Sequence, residues 1–155
     1  LFALPSTRDV AAARNALAQL GIADLADTDF NALSGGQRQL VLIARALASE
    51  CRMLILDEPT AALDWQNQAS VLRLLHRLAR TDNLSILLTT HDPAHALAIA
   101  DQALLLMADR QYLYGPCATT ITEENLSCLY GLPVRQIDVE GYRTLVPLLT
   151  LTESS

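Results

Sequence analysis

Met53-Leu54-Ile55-Leu56 is an unbroken apolar run that stops at Asp57-Glu58-Pro59. Successive strand residues point to opposite faces, so four apolar residues in a row fit a strand covered on both sides, as in a parallel sheet between helix layers. Proline has no N–H for a ladder, and Pro59 marks the end of the strand. Ile86-Leu87-Leu88-Thr89-Thr90 and the stretch from Ala103 to Met107 have the same character. Between these runs the period becomes helical. Val71, Leu74, Leu75 and Leu78 recur on one side of a helix expected from Asp64 to Arg80. His91 to Ala100 gives a second helix, with Pro93 tolerated in its first turn. Strand, helix, strand, helix, strand implies parallel pairing through right-handed crossovers, and hence an α/β fold with flanking helices.

The flanks read differently. Arg8 to Leu20 is an expected helix, with Val10, Ala13, Leu17 and Leu20 at helical spacing and Gly21 as its stop. Ile22 to Ala32 is short, acidic and irregular. Ser34 is the expected N-cap of a helix running to about Ser49, with Leu40, Ile43, Ala44 and Leu47 inward and Arg38 and Arg45 outward. Beyond the third strand, a turn at Asp109-Arg110 leads into a strand from Gln111 to Tyr114. Thr122 caps a short helix from Glu123 to Tyr130. Val134 to Val139 and Tyr142 to Leu149 alternate as a hairpin around Glu140-Gly141.

Four local features carry chemistry. Leu33-Ser34-Gly35-Gly36-Gln37 places two glycines at a helix start, where open N–H groups and the positive dipole end favour an anion such as phosphate. Ser34 and Gln37 add side-chain hydrogen bonding. Asp57 and Glu58 are adjacent carboxylates at the carboxyl end of a parallel strand, where such sheets hold ligands. They face opposite ways, so one suits Mg²⁺ and the other suits polarising a water. Asp64 follows in Ala62-Leu63-Asp64 and suits a helix N-cap. His91 ends the next strand, on the same expected sheet edge, where an imidazole reaches a terminal phosphate oxygen or orients a water. His76 and His95 lie on helices and are read as structural.

Composition removes several classes. Of 155 residues, 51% are apolar, enough to bury a core. The net charge is −6, against the basic patch that nucleic-acid binding requires. All 11 basic residues are Arg. Cys51, Cys117 and Cys128 form no CxxC and read as small hydrophobes. No apolar run is long enough to cross a bilayer, and no signal peptide is visible.

In order and spacing, Leu33-Ser34-Gly35-Gly36-Gln37-Arg38-Gln39, Leu54-Ile55-Leu56-Asp57-Glu58-Pro59-Thr60, Ala62-Leu63-Asp64 and Thr90-His91-Asp92 resemble the signature motif, Walker B motif, D-loop and H-loop of the ABC transporter nucleotide-binding domain. Ala44-Arg45-Ala46-Leu47 also matches. The resemblance implies a partial P-loop NTPase-like fold. Residues 1–50 would end a helical subdomain, 51–110 would form the Walker B half of the ATPase core, and 111–155 would be a small C-terminal extension. It implies an ATPase that closes head to tail with a second ATPase subunit around ATP and Mg²⁺. Asp57 would hold Mg²⁺ through its water shell, Glu58 would be the general base, and His91 would contact the γ-phosphate. Ser34, Gly35, Gly36 and Gln37 would face the γ-phosphate held by the partner, and Asp64 would communicate across the dimer.

A lysine loop, GxxxxGK[ST], cannot occur in a chain without Lys. The chain also opens at Leu1, in mid-pattern, so an upstream segment is expected to be missing and the chain alone is expected to be inactive. Without the lysine-loop strand, one apolar sheet edge would stand open. Asp109-Arg110 stands where the family commonly has a glycine turn. Tyr114-Gly115-Pro116, Thr122-Glu123-Glu124, Leu129-Tyr130-Gly131 with Val134, and His91-Asp92-Pro93 resemble the ATPases of importers for iron–siderophore, haem, cobalamin and related metal or oxyanion cargo. Such subunits sit on transmembrane permeases at the cytoplasmic face of the inner membrane. The alternatives are a non-catalytic half-domain that serves only dimerisation, and a DNA-repair type ABC ATPase.

Overall fold

The computed structural model describes residues 4–49, 51–61, 63–81 and 84–148. Ala62 of the Ala62-Leu63-Asp64 motif and Leu149 of the expected final strand lie outside them. Contacts divide the chain into two units, one ending at Thr90 and one beginning at His91.

In the first unit, helix α1 (Thr7–Gln19) starts at a capping box in which Ser6 accepts from the Asp9 N–H and Asp9 accepts from the Ser6 N–H. It stops before Gly21, whose φ of +71° suits a residue without Cβ. Ala16 is its buried residue, while Val10 and Ala13 of the expected apolar row are exposed. The acidic stretch forms two single 3-10 turns, Ala23–Leu25 and Phe30–Ala32. Helix α2 (Gly35–Leu47) buries Gly36, Ile43 and Ala44, and Arg38 and Arg45 face outward as expected. Helix α3 (Trp65–Thr81) buries Val71, Leu74, Leu75 and Leu78. Its Arg77 guanidinium donates to the Gln19 carbonyl at 2.9 Å, closing the end of α1.

Strands β1 (Met53–Leu56) and β2 (Ser85–Leu88) pair in parallel, Met53 opposite Ser85 through Leu56 opposite Leu88. The expectation that both are covered on two faces is overturned. Leu54 is buried, yet Met53, Ile55 and Leu87 are 58%, 69% and 57% exposed. A continuous apolar run signals two covering layers, but helix α3 lies against β2 and supplies one.

In the second unit, α4 (Pro93–Ile99) has Asp92 as N-cap, accepting from the Ala94 N–H at 2.8 Å, with Pro93 first in the helix. Strand β3 (Gln102–Leu106) pairs antiparallel with β4 (Tyr112–Pro116). Among the described residues β3 has β4 on one of its two edges and no parallel partner on the other, so the parallel partnership expected for the third strand is not formed there. Asp109 and Arg110 both take left-handed φ, +55° and +61°, in that turn. A one-turn helix α5 (Cys117–Thr120), which the pattern did not reveal, leads to α6 (Glu123–Tyr130). Thr122 caps α6 by accepting from the Asn125 N–H. Strands β5 (Val134–Val139) and β6 (Tyr142–Pro147) form the expected hairpin, with Glu140 and Gly141 both at positive φ, as a two-residue type I′ turn demands. Ala103, Cys117, Ile121, Leu126, Val134 and Leu145 form the core of this unit.

Candidate functional site

Three clusters in the first unit hold most of the predicted site residues. The first lies where β1 and β2 end. The Thr89 N–H donates to the Leu56 carbonyl at 3.0 Å, extending the ladder by one step. The Thr89 hydroxyl then donates to Asp57 Oδ1 at 2.5 Å and accepts from the Glu58 N–H at 2.9 Å. One hydroxyl thus fixes the carboxylate of Asp57 and the backbone of Glu58. Glu58 has φ +42°, a conformation that costs a non-glycine residue energy and turns the chain sharply out of the strand. Both acids are exposed, while Pro59 and Thr60 behind them are buried. The Gln68 side chain donates to the Thr60 carbonyl at 3.2 Å and holds this turn to α3.

The second cluster is the start of α2. Ser34 Oγ accepts from the Gln37 N–H at 3.2 Å, and Gln37 Oε1 accepts from the Ser34 N–H at 2.9 Å. In this capping box each side chain is engaged by the other residue's backbone N–H. An anion at this helix end would meet the Gly35 and Gly36 N–H groups, for which a first helical turn offers no acceptor.

The third cluster is Asp64. Its Oδ1 accepts from the Asn67 N–H at 2.8 Å, so it does cap α3, and its Oδ2 accepts from Asn67 Nδ2 at 2.9 Å. Asn67 also faces Gly36. A Cβ added to Gly36 would lie 2.9 Å from Asn67 Cγ and 3.0 Å from its Oδ1.

His91 opens the second unit as an exposed residue just before the Asp92 cap. Its carbonyl accepts from the Tyr130 hydroxyl at 3.2 Å. His95 sits against its own helix cap, with Nε2 3.4 Å from Asp92 Oδ2, in keeping with a structural part. Among the described residues no group of three or more His, Cys, Asp or Glu is placed to hold a metal by itself. No described helix is long and apolar enough to cross a membrane.

Pattern reading missed Thr89, Asn67 and Gln68. Thr89 and Gln68 carry no motif of their own. A polar residue three places after an N-cap Asp was the available signal for Asn67.

Comparisons with known proteins point to one family. The family described as ABC transporter matches residues 6–61. The molybdate import ATP-binding protein MolC of Haemophilus influenzae is 47% identical over 133 residues, covering 86% of this chain and 52% of that protein. The hemin import ATP-binding protein HmuV of Rhodococcus jostii is 38% identical over 144 residues, covering 92% and 49%. A solved structure of a metal-chelate type ABC transporter in an inward-facing conformation matches with a TM-score of 0.90 at 44% identity, covering 96% of this chain and 60% of that one. The chain spans about half the length of the relatives it matches.

Proposed function

Because the chain belongs to the ABC transporter ATP-binding family, we propose that it forms the signature and Walker B part of the ATP-hydrolysing subunit of an importer. The observation that carries this is the Asp57–Glu58 pair at the carboxyl end of a parallel strand, held in place by Thr89.

Glu58 is the general base for the attacking water. Its exposed carboxylate stands on a backbone fixed by the Thr89 hydroxyl and by the carbonyl–amide bond from Glu58 to Ala61 at 3.2 Å. Asp57 is a fitting partner for Mg²⁺, since Thr89 engages one oxygen and the carboxylate has a second for a hydrated cation. Mg²⁺ held there would supply neutralisation of the charge that develops on the phosphate. The Gly35 and Gly36 end of α2, with Ser34 and Gln37 as its cap, faces the γ-phosphate held by a second ATPase subunit, and Asp64 lies at that same contact. His91 contacts the γ-phosphate bound by its own subunit. Residues 1–50, 51–110 and 111–155 act as signature segment, catalytic segment and extension. The cargo class is a metal chelate, haem or an oxyanion, following what the relatives are named for importing. A permease at the cytoplasmic face of the inner membrane is the other partner.

Placing Glu58→Gln in the intact subunit tests this. Turnover falls by about 10²–10⁴-fold, the usual worth of general-base help, while ATP binding persists. Turnover close to that of the parent would remove Glu58 from the role and favour a half-domain that serves only dimerisation.

A further inference from the structure

Asn67 occupies the space that any side chain at Gly36 would need. A Cβ placed on Gly36 would lie 2.9 Å from Cγ, 3.0 Å from Oδ1 and 3.2 Å from Nδ2, so the whole carboxamide lies over the glycine. That carboxamide is not free to swing away. Its nitrogen donates to Asp64 Oδ2 at 2.9 Å, and the Asn67 backbone N–H donates to Asp64 Oδ1 at 2.8 Å. Gly36 is buried. The Gln68 N–H donates to the Asp64 carbonyl at 2.8 Å, and the Gln68 side chain reaches the Thr60 carbonyl. The cap of α3, the turn after the acidic pair and the start of α2 therefore share one short network.

We propose that Asn67 is a positioning residue that locks the Asp64 turn to Gly36, so that the anion-facing end of α2 and the Asp64 surface move as one piece. Close packing makes this coupling stiff, because the carboxamide is held through its nitrogen, the backbone beneath it is held through the N–H, and the group is pressed on a glycine. The proposal rests on the function proposed above. In that reading both surfaces meet the second subunit, and a displacement of Asp64 by that subunit is delivered through Asn67 to the N–H groups that face its γ-phosphate. Coupling of this kind needs a physical contact that two sites share, and this contact is shared by two motif residues 28 positions apart.

The test uses the intact subunit and a double-mutant cycle. Gly36→Ala collides with Asn67, so it lowers the unfolding midpoint; in the Asn67→Ala background the added methyl has room, and the same substitution costs less than half as much. Additive effects would overturn the contact on which the proposal stands. Steady-state kinetics give the second arm. Asn67→Ala lowers kcat at least tenfold and weakens the cooperativity in ATP, while equilibrium ATP binding to the separate subunit stays within twofold. Parental kcat and cooperativity in a variant that shows the stability coupling would make Asn67 a packing residue only and overturn the positioning role. Loss of the catalytic reading itself registers separately, as unchanged turnover in Glu58→Gln.

Discussion

The Thr89 hydroxyl donates to the Asp57 carboxylate at 2.5 Å, across the ends of the two parallel strands. The same oxygen accepts from the Glu58 N–H, so a single atom orients both acids. Thr89→Val keeps the shape and removes both bonds. A hydrogen bond to a charged group is worth about 1.5–3 kcal/mol, and each ~1.4 kcal/mol in the barrier is tenfold in rate. The intact subunit carrying Thr89→Val should lose at least about tenfold in kcat, and Thr89→Ser should retain most of it. Parental kcat in Thr89→Val, with the loss confined to Thr89→Ser, would show that the methyl group, not the hydroxyl, matters.

Trp65 follows Asp64 directly and is 89% exposed. A fully exposed indole beside a residue expected at a subunit contact is the kind of side chain that anchors an interface, and such anchors often exceed 2 kcal/mol. In the Glu58→Gln subunit, Mg-ATP should shift the Trp65 emission to the blue, read as the difference from a Trp65→Ala control. Trp65→Ala should raise the dimer dissociation constant by about tenfold or more. An unshifted spectrum under conditions where sedimentation shows a dimer would place Trp65 outside the contact.

Much of this was legible in the sequence because the informative signals were local. Thr122 with Asn125, Ser34 with Gln37, and Glu140-Gly141 each fix a cap or a turn within four residues, and all three stand where the pattern put them. Asp64 capping α3 is of the same kind. The misses are non-local. Whether Met53 and Ile55 are covered depends on what packs over the strand, which a run of apolar residues cannot state. Which strand lies along each edge of β3 is likewise not stated by its own residues. Thr89 and Asn67 gained their places from contacts 32 and 31 residues away, with Asp57 and Gly36 respectively, and no periodicity encodes those.

Glu123 gives the second unit a pH dependence. The Gln136 N–H donates to Glu123 Oε1 at 2.6 Å and the Arg135 guanidinium lies 3.0 Å from Oε2; in that order they hold its carboxyl below the ordinary value of 4.5. A depressed folded-state value means the unfolded chain binds the proton first as pH falls. The latch from α6 to β5 is therefore fully present above about 4.5 and is lost as pH drops through the lowered folded value. Glu123→Gln should lower the urea midpoint at pH 7 and have a diminishing effect below pH 4. An effect that is constant across that range would mean the loss does not depend on the charge of the carboxylate, and would remove Glu123 as the source of the pH dependence.

The absence of Lys bears on what the chain does by itself. Phosphate recognition in P-loop ATPases needs an ammonium that reaches the β- and γ-phosphates and a loop of N–H groups around them. Here the exposed charges near the proposed site, Asp57 and Glu58, are negative. The anion-favouring feature is the start of α2, whose serine and glutamine are engaged with each other. A helix dipole contributes only about 0.3–1 kcal/mol at an exposed end, far from the roughly 8 kcal/mol that micromolar affinity requires. Titration of the isolated chain with Mg-ATP in a calorimeter should therefore give no saturable heat at micromolar concentrations. A micromolar isotherm would mean that the chain builds a nucleotide cradle from other residues. The division of labour proposed here, with the chain supplying catalytic acids and a signature surface while phosphate is cradled elsewhere, would then have to be abandoned.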